Sequence, residues 1–384
     1  MFQGHSNTQF LNENTSQEIP KDLATSIWNG RNFELRPTKI YNRNKSTIVK
    51  VLKAGFCGTD HHFIERPNLS TELSLGHEIL AELVQVGEHI KSVGNQPLKV
   101  GDRVVVIPGI ACGGCHICLS YGGHENMCNH RSVHGFSKYS SSSYFPQGGF
   151  SNYMELLDNL WVYKVPENIP TEYAMFGEPL AIGVKAIERA LGGGRPDRDL
   201  GPGLAPRAAI IGLGPIGCIM AYMLQSINAD IVGVDIDPWK AKFAGEVMGI
   251  DTLHVPEDAR AADELFKQKF PDDFDIVLEC GGTAKAFELS ILLPRKGGKV
   301  IELGNYILGD KAHIDPAVIC RKELDISGSV LAPPFIYSKV FRILQKQDPS
   351  CLSKLVTHTI KLSEMNTVMD ILESKKYMKI FVEP

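Results

Sequence analysis

Short runs of β-branched residues dominate the first third of the chain. They occur at residues 46–51, 79–86 and 99–107, and turn-forming Gly, Asn and Asp separate them. No helical period of any length competes between residues 39 and 106. The pattern predicts a β-rich, barrel-like first domain whose loops carry the segments around residues 57 and 77.

The second half of the chain alternates between strand and helix patterns. Apolar spacing is helical over residues 181–191 and again after residue 215. Short apolar strands are predicted at residues 207–211, 231–234, 274–280, 297–304 and 324–330. Such alternation is typical of an α/β unit with a doubly wound parallel sheet, a Rossmann domain. A last strand at 379–383 is expected to return to the first domain.

The length of 384 residues is sufficient for two domains. We assign residues 23–181 and 326–384 to the β-rich first domain and residues 182–325 to the Rossmann domain. Residues 1–22 are polar and lack a signal-peptide pattern, so we expect a flexible extension.

Charge and hydropathy exclude several classes of protein. The net charge of −4 argues against a nucleic-acid surface or a polybasic membrane patch. No apolar run approaches the roughly 20 residues that span a bilayer. We therefore expect a cytoplasmic protein that binds neither nucleic acid nor membrane.

Three zinc-ligand residue types lie close together in the first domain. Cys57, His77 and Glu78 supply a thiolate, an imidazole and a carboxylate, with glycines beside the first two. A catalytic zinc takes three protein ligands and keeps one position open, through which it contacts an alcohol or carbonyl oxygen. Alone, these three residues are only moderately specific evidence for a zinc site, because a single Cys is more often a small buried apolar residue than a metal ligand.

Four of the nine cysteines stand close together: Cys112, Cys115, Cys118 and Cys128. Two-residue spacers let thiolates converge on one ion, and four thiolates close a tetrahedral site with no open position. We interpret the cluster as a structural zinc site; the alternative is four free thiols on a loop. The nearby histidines are predicted to be surface loop residues: His116, His124, His130 and His134.

A GxGxxG motif stands between a predicted strand and a predicted helix, which is the context that dinucleotide binding requires. Gly212 allows a tight turn, Gly214 lets the backbone approach a pyrophosphate, and Gly217 lets helix and strand pack closely. The phosphates then lie at the helix N-terminus. The predicted cofactor-binding residues of this loop are Gly212, Gly214, Pro215, Ile216 and Gly217.

Asp235 ends the next predicted strand, about 20 residues after the glycines. Its carboxylate can accept hydrogen bonds from the adenosine ribose and would repel a 2′-phosphate. The sequence therefore favours NAD over NADP. The alternative is a glycine-rich turn without a ligand.

Several ordered motifs run from about residue 39 to the C-terminus, among them Gly-Phe-Cys-Gly-Thr-Asp at 55–60, Gly-His-Glu at 76–78, Val-Gly-Asp-Arg-Val at 100–104, Glu-Pro-Leu at 178–180 and Gly-Gly-Lys-Val at 297–300. With the cysteine cluster and the glycine motif, they resemble the zinc-containing medium-chain alcohol dehydrogenases. Glu-Pro-Leu resembles the polyol (sorbitol-type) branch, and threonine dehydrogenases are similar as well. The resemblance implies a GroES-like catalytic domain and a homo-oligomer, either a dimer or a tetramer.

The resemblance also implies roles at the metal. Cys57 and His77 would bind the catalytic zinc, with Glu78 and Glu178 as bound or neighbouring carboxylates; which of the two binds directly stays open. Asp60 would orient the zinc-bound histidine.

Three further residues take roles by their positions in the family pattern. Thr59 would hand on the substrate proton, His62 would relay it towards solvent, and Lys240 would contact the adenosine ribose. The chain departs from the pattern in a longer spacer before Cys128 and in long segments at 137–149 and 192–206.

The function expected from these features is the reversible oxidation of a secondary alcohol on a polyol, sugar or cyclitol, with NAD and two zinc ions, one catalytic and one structural. Two alternatives remain. One is a threonine-type amino-alcohol or simple alcohol dehydrogenase. The other is a nucleotide-binding zinc protein without turnover.

Overall fold

The computed structural model describes residues 23–38, 46–65, 72–121, 125–138, 148–192, 205–271, 273–304 and 310–384. The predicted extension over residues 1–22 lies outside these ranges, as do His124 and most of the 137–149 and 192–206 segments. All statements below about absence or number refer to the described ranges.

The first part of the chain consists mainly of short strands. In order, its elements are β1 (Ala24–Trp28), β2 (Phe33–Pro37), β3 (Thr47–Phe56), α1 (Gly58–Ile64), β4 (Leu73–Leu75), β5 (Glu78–Gln85), β6 (Lys91–Ser92), β7 (Arg103–Val106), β8 (Gly109–Ile110), α2 (His116–Ser120), β9 (Ser132–Val133), β10 (Phe136–Lys138), β11 (Tyr153–Leu156), β12 (Trp161–Lys164), α3 (Thr171–Ala174) and α4 (Gly177–Leu191).

The middle part alternates strands and helices, and the last part returns to the first. The alternating elements are β13 (Arg207–Ile211), α5 (Pro215–Gln225), β14 (Asp230–Asp235), α6 (Pro238–Met248), β15 (Asp251–His254), α7 (Ala259–Lys269), β16 (Phe274–Glu279), α8 (Ala284–Leu292), β17 (Pro294–Glu302), α9 (Pro316–Lys322) and β18 (Asp325–Gly328). The last elements are α10 (Ile336–Lys346), α11 (Ser350–Leu355), β19 (Val356–Lys361), α12 (Thr367–Ser374) and β20 (Lys379–Glu383).

The catalytic unit is organised around one sheet with the strand order β19-β20-β3-β5-β7-β12-β6, to which β11 adds by pairing with β3. The long strand β3 pairs antiparallel with both β5 and β20. Because β20 follows the alternating α/β part, the chain crosses back to complete the sheet that its first part began. A second sheet, β10-β4-β1-β2, packs beside it.

The described residues of the middle part form a six-stranded parallel sheet in the order β15-β14-β13-β16-β17-β18. Successive residues of β13 point to opposite faces, because side chains alternate along a strand. Ile210 joins the core under α4 and α5, whereas Ile211 joins the core under α7 and α8. Helices therefore cover both faces of the sheet, and the predicted α/β fold class is confirmed.

The two predicted domain boundaries fall inside regular elements. The boundary after residue 181 lies within α4, and the boundary after residue 325 lies within β18. Residues 326–328, which the sequence analysis assigned to the β-rich first domain, pair with β17 in the parallel sheet. None of the described helices is long and apolar enough to cross a membrane.

One helix near the metal residues was not predicted. α1 has only seven residues, so its apolar period is too short to be visible in the sequence. Its start is marked instead by Asp60, whose Oδ2 accepts a hydrogen bond from the Cys57 N–H at 2.9 Å.

Candidate active site

The strand pairing of the catalytic sheet brings the first group of metal-ligand residues together. Cys57 follows β3 directly, Glu78 begins β5, and the register places Gly55 opposite Glu78. His77 stands in the connection just before β5. One ligand atom from each of Cys57, His77 and Glu78 lies within 4.8 Å of the others.

Asp60 fixes the two turns that carry these residues. Its side chain is fully buried, and its Oδ1 accepts a hydrogen bond from the Gly76 N–H at 3.1 Å. The same oxygen lies 3.7 Å from Nδ1 of His77. Because its other oxygen binds the Cys57 N–H, one carboxylate connects both turns and faces the histidine ring.

Lys379 is a site residue that the sequence analysis did not identify. It begins β20 and is almost fully buried, and its Nζ forms an ion pair with the Glu78 carboxylate. A Cβ on Gly55 would overlap that carboxylate, so the glycine makes room for the pair. A lysine at the start of an apolar strand was the available signal, but its partner lies 301 positions away.

Glu178 lies in the first turn of α4 and is buried beside the same group. Burial raises its pKa to about 7; His77 opposes this shift, whereas Glu78 adds to it. Glu178 is not among the three residues whose ligand atoms converge within 4.8 Å. The geometry thus brings Glu78 closer to Cys57 and His77 as a donor, with Glu178 as a neighbouring carboxyl.

The group fits a zinc ion in donor chemistry. Cys57, His77 and Glu78 offer the sulfur, nitrogen and oxygen ligands that zinc takes. Burial lowers the pKa of His77, but Asp60 and Cys57 outweigh it and raise that pKa well above its ordinary value. Surroundings that stabilise a positive charge on the imidazole also favour a metal cation.

The proposed proton-transfer residues lie on α1 beside the metal group. Oγ1 of Thr59 is 3.9 Å from Sγ of Cys57. His62 is exposed, whereas His61 is half-buried and its Nε2 lies 3.3 Å from Glu65. Thr59 and both histidines line one cavity of about 250 Å³ together with Cys57.

The second group of metal-ligand residues is the cysteine cluster around α2. The four Sγ atoms of Cys112, Cys115, Cys118 and Cys128 all lie within 4.8 Å of one another. Sγ of Cys115 is 3.5 Å from that of Cys118 and 3.8 Å from that of Cys128. A tetrahedral zinc with Zn–S of about 2.3 Å requires S–S distances of roughly 3.8 Å, so the cluster fits a closed zinc site.

Backbone donors support thiolates at Cys115 and Cys128 in this cluster. The amides of Cys118 and Asn129 lower the pKa of the Cys115 thiol to about 6. The amides of Cys112 and His130 donate to Sγ of Cys128, at 3.3 and 3.4 Å. The prediction for the nearby histidines was wrong in one case: His116 and His130 are exposed, but His134 is buried because it follows β9 into the core beside Pro108.

The predicted cofactor loop adopts the geometry that a dinucleotide needs. Gly212 has a φ of 87°, which favours glycine, and a Cβ on Gly217 would overlap the Gly212 carbonyl. A Cβ on Gly214 would meet no protein atom within 4 Å. Packing therefore does not require glycine at 214, whereas close approach of a ligand to the backbone would. Pro215 and Ile216 begin α5 and line the cavity next to this loop.

Asp235, the last residue of β14, binds the backbone of the glycine loop. Its Oδ2 accepts a hydrogen bond from the Leu213 N–H at 2.7 Å, and its Oδ1 accepts one from the Asp237 N–H at 2.8 Å. It lines a second cavity of about 200 Å³ with Lys240, Glu257 and Lys285, the last two of which the sequence analysis did not identify.

The two cavities form one groove. Gly214, Lys240, Cys280 and Gly281 line both, so the cavity at Asp235 continues into the cavity at Cys57. A dinucleotide lying in this groove would have its adenosine at Asp235 and its other end beside the metal residues. The residues thus fit both a dinucleotide and a zinc ion.

Two family models match the chain. The alcohol dehydrogenase GroES-like domain matches residues 43–167, and the zinc-binding dehydrogenase family matches residues 215–346. Together they span about two thirds of the chain.

Individual proteins match over most of their length. A D-xylulose reductase of Scheffersomyces stipitis is 26% identical over 90% of this chain and 93% of its own. An L-threonine 3-dehydrogenase of Shewanella baltica is 24% identical over 87% and 91%. The crystal structure of an alcohol dehydrogenase from Thermotoga maritima superposes with a TM-score of 0.81 at 24% identity, covering 94% of this chain and 99% of that one, which shows the common fold.

Replacing Cys57 tests the division into two metal sites. Cys57→Ala removes a ligand of the first group only, so we expect zinc content to fall from about two ions per chain to about one. Elemental analysis of the purified variant measures this. Cys320→Ala, an exposed cysteine outside both groups, is the control and should keep both ions. Two ions in Cys57→Ala would contradict the assignment.

Replacing Gly214 tests whether the groove holds a dinucleotide. Gly214→Ala adds a methyl group that contacts no protein atom within 4 Å, so the free energy of unfolding should stay within about 0.5 kcal/mol of that of the parent. The methyl group would occupy ligand space, so NADH affinity measured by fluorescence should fall at least about tenfold, or roughly 1.4 kcal/mol. Equal affinity in variant and parent would place the cofactor elsewhere.

Proposed function

Because the chain belongs to the zinc-binding alcohol dehydrogenases with a GroES-like domain, which use zinc and a nicotinamide cofactor on CH–OH groups, we propose that its substrate is a polyhydroxylated secondary alcohol and that its cofactor is NAD. The product is the corresponding ketone, and the reaction is reversible. The substrate would be a polyol, sugar or cyclitol.

One observation carries the proposal: a sulfur, nitrogen and oxygen donor group stands at one end of the dinucleotide groove. Cys57 and Thr59 line the same cavity as Gly214 and Gly282. Glu178, in the Glu-Pro-Leu motif at 178–180, stands where classical alcohol dehydrogenases carry a cysteine ligand, and this is the feature that resembles the polyol branch. The similarity to a D-xylulose reductase supports the same class of substrate.

The metal and the cofactor each supply one kind of chemistry when bound. A zinc ion held by Cys57, His77 and Glu78 supplies a Lewis acid that lowers the pKa of the substrate hydroxyl, and NAD supplies the acceptor for the hydride. Glu178 and Lys379 contribute opposite charges near the donor group, because one is a buried carboxyl and the other a buried cation.

The chain's own residues handle the proton. Thr59 accepts the proton of the substrate hydroxyl and donates its own towards His62, which is exposed and exchanges with solvent. Asp60 keeps the turns of Cys57 and His77 fixed while this occurs. Both carbinol hydrogens are thereby accounted for: the one on oxygen leaves as a proton, and the one on carbon as a hydride.

Asp235 supports NAD as the cofactor. Two of its roughly four acceptor positions bind backbone amides, which leaves capacity for the ribose hydroxyls. A 2′-phosphate at this position would face a buried carboxylate. Lys240 lines the same cavity and would contact the ribose.

Two further expectations from the sequence belong to the proposal. We infer a homo-oligomer, a dimer or a tetramer, and a cytoplasmic location. Support for the former comes from β18, which lies at the edge of the parallel sheet in the described ranges. An edge strand can pair with its copy across a twofold axis.

A substrate panel tests the reaction. We expect NADH formation on polyols, sugars or cyclitols, and loss of turnover with a zinc chelator, because the metal activates the hydroxyl. Absorbance at 340 nm measures it, with threonine and simple alcohols in the same panel. Turnover on threonine alone would favour the amino-alcohol alternative, which the resemblance to an L-threonine 3-dehydrogenase supports. No turnover by zinc-loaded, NADH-binding protein would contradict the proposed substrate class.

Cofactor preference is tested at the end of β14. Replacing Asp235→Ser together with Ile236→Arg removes the carboxylate and adds a cation beside it, so kcat/KM for NADP should rise relative to NAD by about tenfold or more. Lys242→Arg, on the exposed face of α6, is the matched control and should leave the ratio unchanged. An unchanged ratio in the double variant would remove Asp235 from the discrimination.

A further inference from the structure

Two glutamates lie side by side at the edge of the parallel sheet that faces the cofactor groove. Glu279 ends β16, Glu302 ends β17, and the parallel register pairs them directly. Glu279 is fully buried and Glu302 is half-buried. The parallel register and this burial bring the two carboxyl groups close to each other inside the protein. Two adjacent carboxylates in such surroundings repel each other, and one proton shared between them removes that repulsion.

Within the pair, Glu279 binds the backbone that lines the cofactor groove. Oε1 of Glu279 accepts hydrogen bonds from the Gly281 N–H at 2.7 Å and from the Gly282 N–H at 2.8 Å. On the other side, a Cβ on Gly304 would stand 2.6 Å from Oε2 of the same residue. The Glu279 carboxyl therefore fills the space between two glycine turns.

Those two turns form the wall of the cavity at the metal end of the groove. Gly281, Gly282 and Gly304 all line the cavity that contains Cys57 and Thr59. Gly281 also lines the cavity at Asp235. A shift of these turns would change the space available to the half of the dinucleotide that lies beside the metal residues.

The surroundings favour one negative charge on the pair over two. Burial, followed by the hydrogen bond and charge of Glu302, raises the pKa of Glu279 to about 8, against the two glycine amides, which lower it. Burial and both carboxyls raise the pKa of the Cys280 thiol, so it remains neutral.

In the described part of the chain, several charged or titratable groups on elements packed around the pair have partners of their own or are buried. On α4, Lys185 donates to the Val330 and Leu331 carbonyls, and Arg189 donates to the Gly328 carbonyl. On α8, Lys285 forms an ion pair with Glu288, and Asp310 accepts a hydrogen bond from the Ala284 N–H at the start of that helix. The Cys218 thiol on α5 is buried.

We propose that Glu279 and Glu302 are positioning residues that share one proton and, in that state, hold the glycine turns in the conformation that binds the dinucleotide. Loss of the shared proton leaves two adjacent negative charges behind the glycine turns. These charges repel each other and the cofactor phosphates. Cofactor binding is therefore coupled to retention of this proton, which solvent supplies. The inference rests on the proposed NAD site.

The sign of the coupling follows from the raised pKa of Glu279. Below about pH 7 the pair holds its proton and affinity is constant. As pH rises through about 8, the free protein loses the proton and must regain it to bind, so the dissociation constant for NADH increases. We expect a roughly tenfold increase between pH 7 and 9.

The test is NADH binding, followed by fluorescence of the zinc-loaded protein across this pH range. Glu302→Gln replaces the shared proton with an amide N–H that donates at every pH and keeps one negative charge on the pair. Its affinity at pH 7 should match the parent, and its pH dependence should be nearly flat. Glu264→Gln, an exposed residue of α7, is the control and should retain the parent's increase. An equal increase in Glu302→Gln and the parent would overturn the proposal.

A second measurement needs no variant. Calorimetry of NADH binding to the parent protein in two buffers of different ionisation enthalpy should show proton uptake at pH 8.5 and little at pH 6.5. Binding without uptake at pH 8.5 overturns the role of the pair and leaves the proposed function intact. Absence of NADH binding at every pH overturns both.

Discussion

The pairing of β3 between β5 and β20 is the constraint on which the proposed metal site depends. This register places Glu78 opposite Gly55 and brings Lys379 against the carboxylate from the other neighbouring strand. A slip of one residue would turn every side chain of a strand to the opposite face. The site therefore requires that the long strand be paired on both sides, and Asp60 then fixes the turns that leave it.

Local signals in the sequence were sufficient for the fold and for much of the cofactor groove. The glycine motif, the flanking strands and the acid at 235 lie within one continuous segment, and their geometry follows from backbone rules that act over short distances. The helix after Asp237 also follows from a local signal, because the side chain of that residue caps it by accepting from the Trp239 N–H at 2.8 Å. The cysteine cluster is equally local.

Contacts between distant segments could not be predicted in this way. The partnership of Glu78 with Lys379 and that of Glu279 with Glu302 both depend on which strands become neighbours and in what register. α1 was missed because seven residues hold too little of a helical period. His134 was misplaced because residue type indicates a surface position, whereas its burial depends on how the chain runs beside Pro108.

The ion pair of Lys379 with Glu78 also has a consequence for biosynthesis. The partners are 301 positions apart, so at ribosomal speeds of about 5–20 residues per second the lysine is made roughly 15–60 s after the glutamate. During that interval β3 and β5 can pair, but the Glu78 carboxylate has no cation beside it. Until Lys379 is made, the Glu78 end of the sheet must therefore remain hydrated. The whole α/β part is synthesised before β20 can pair with β3 and exclude water from this end.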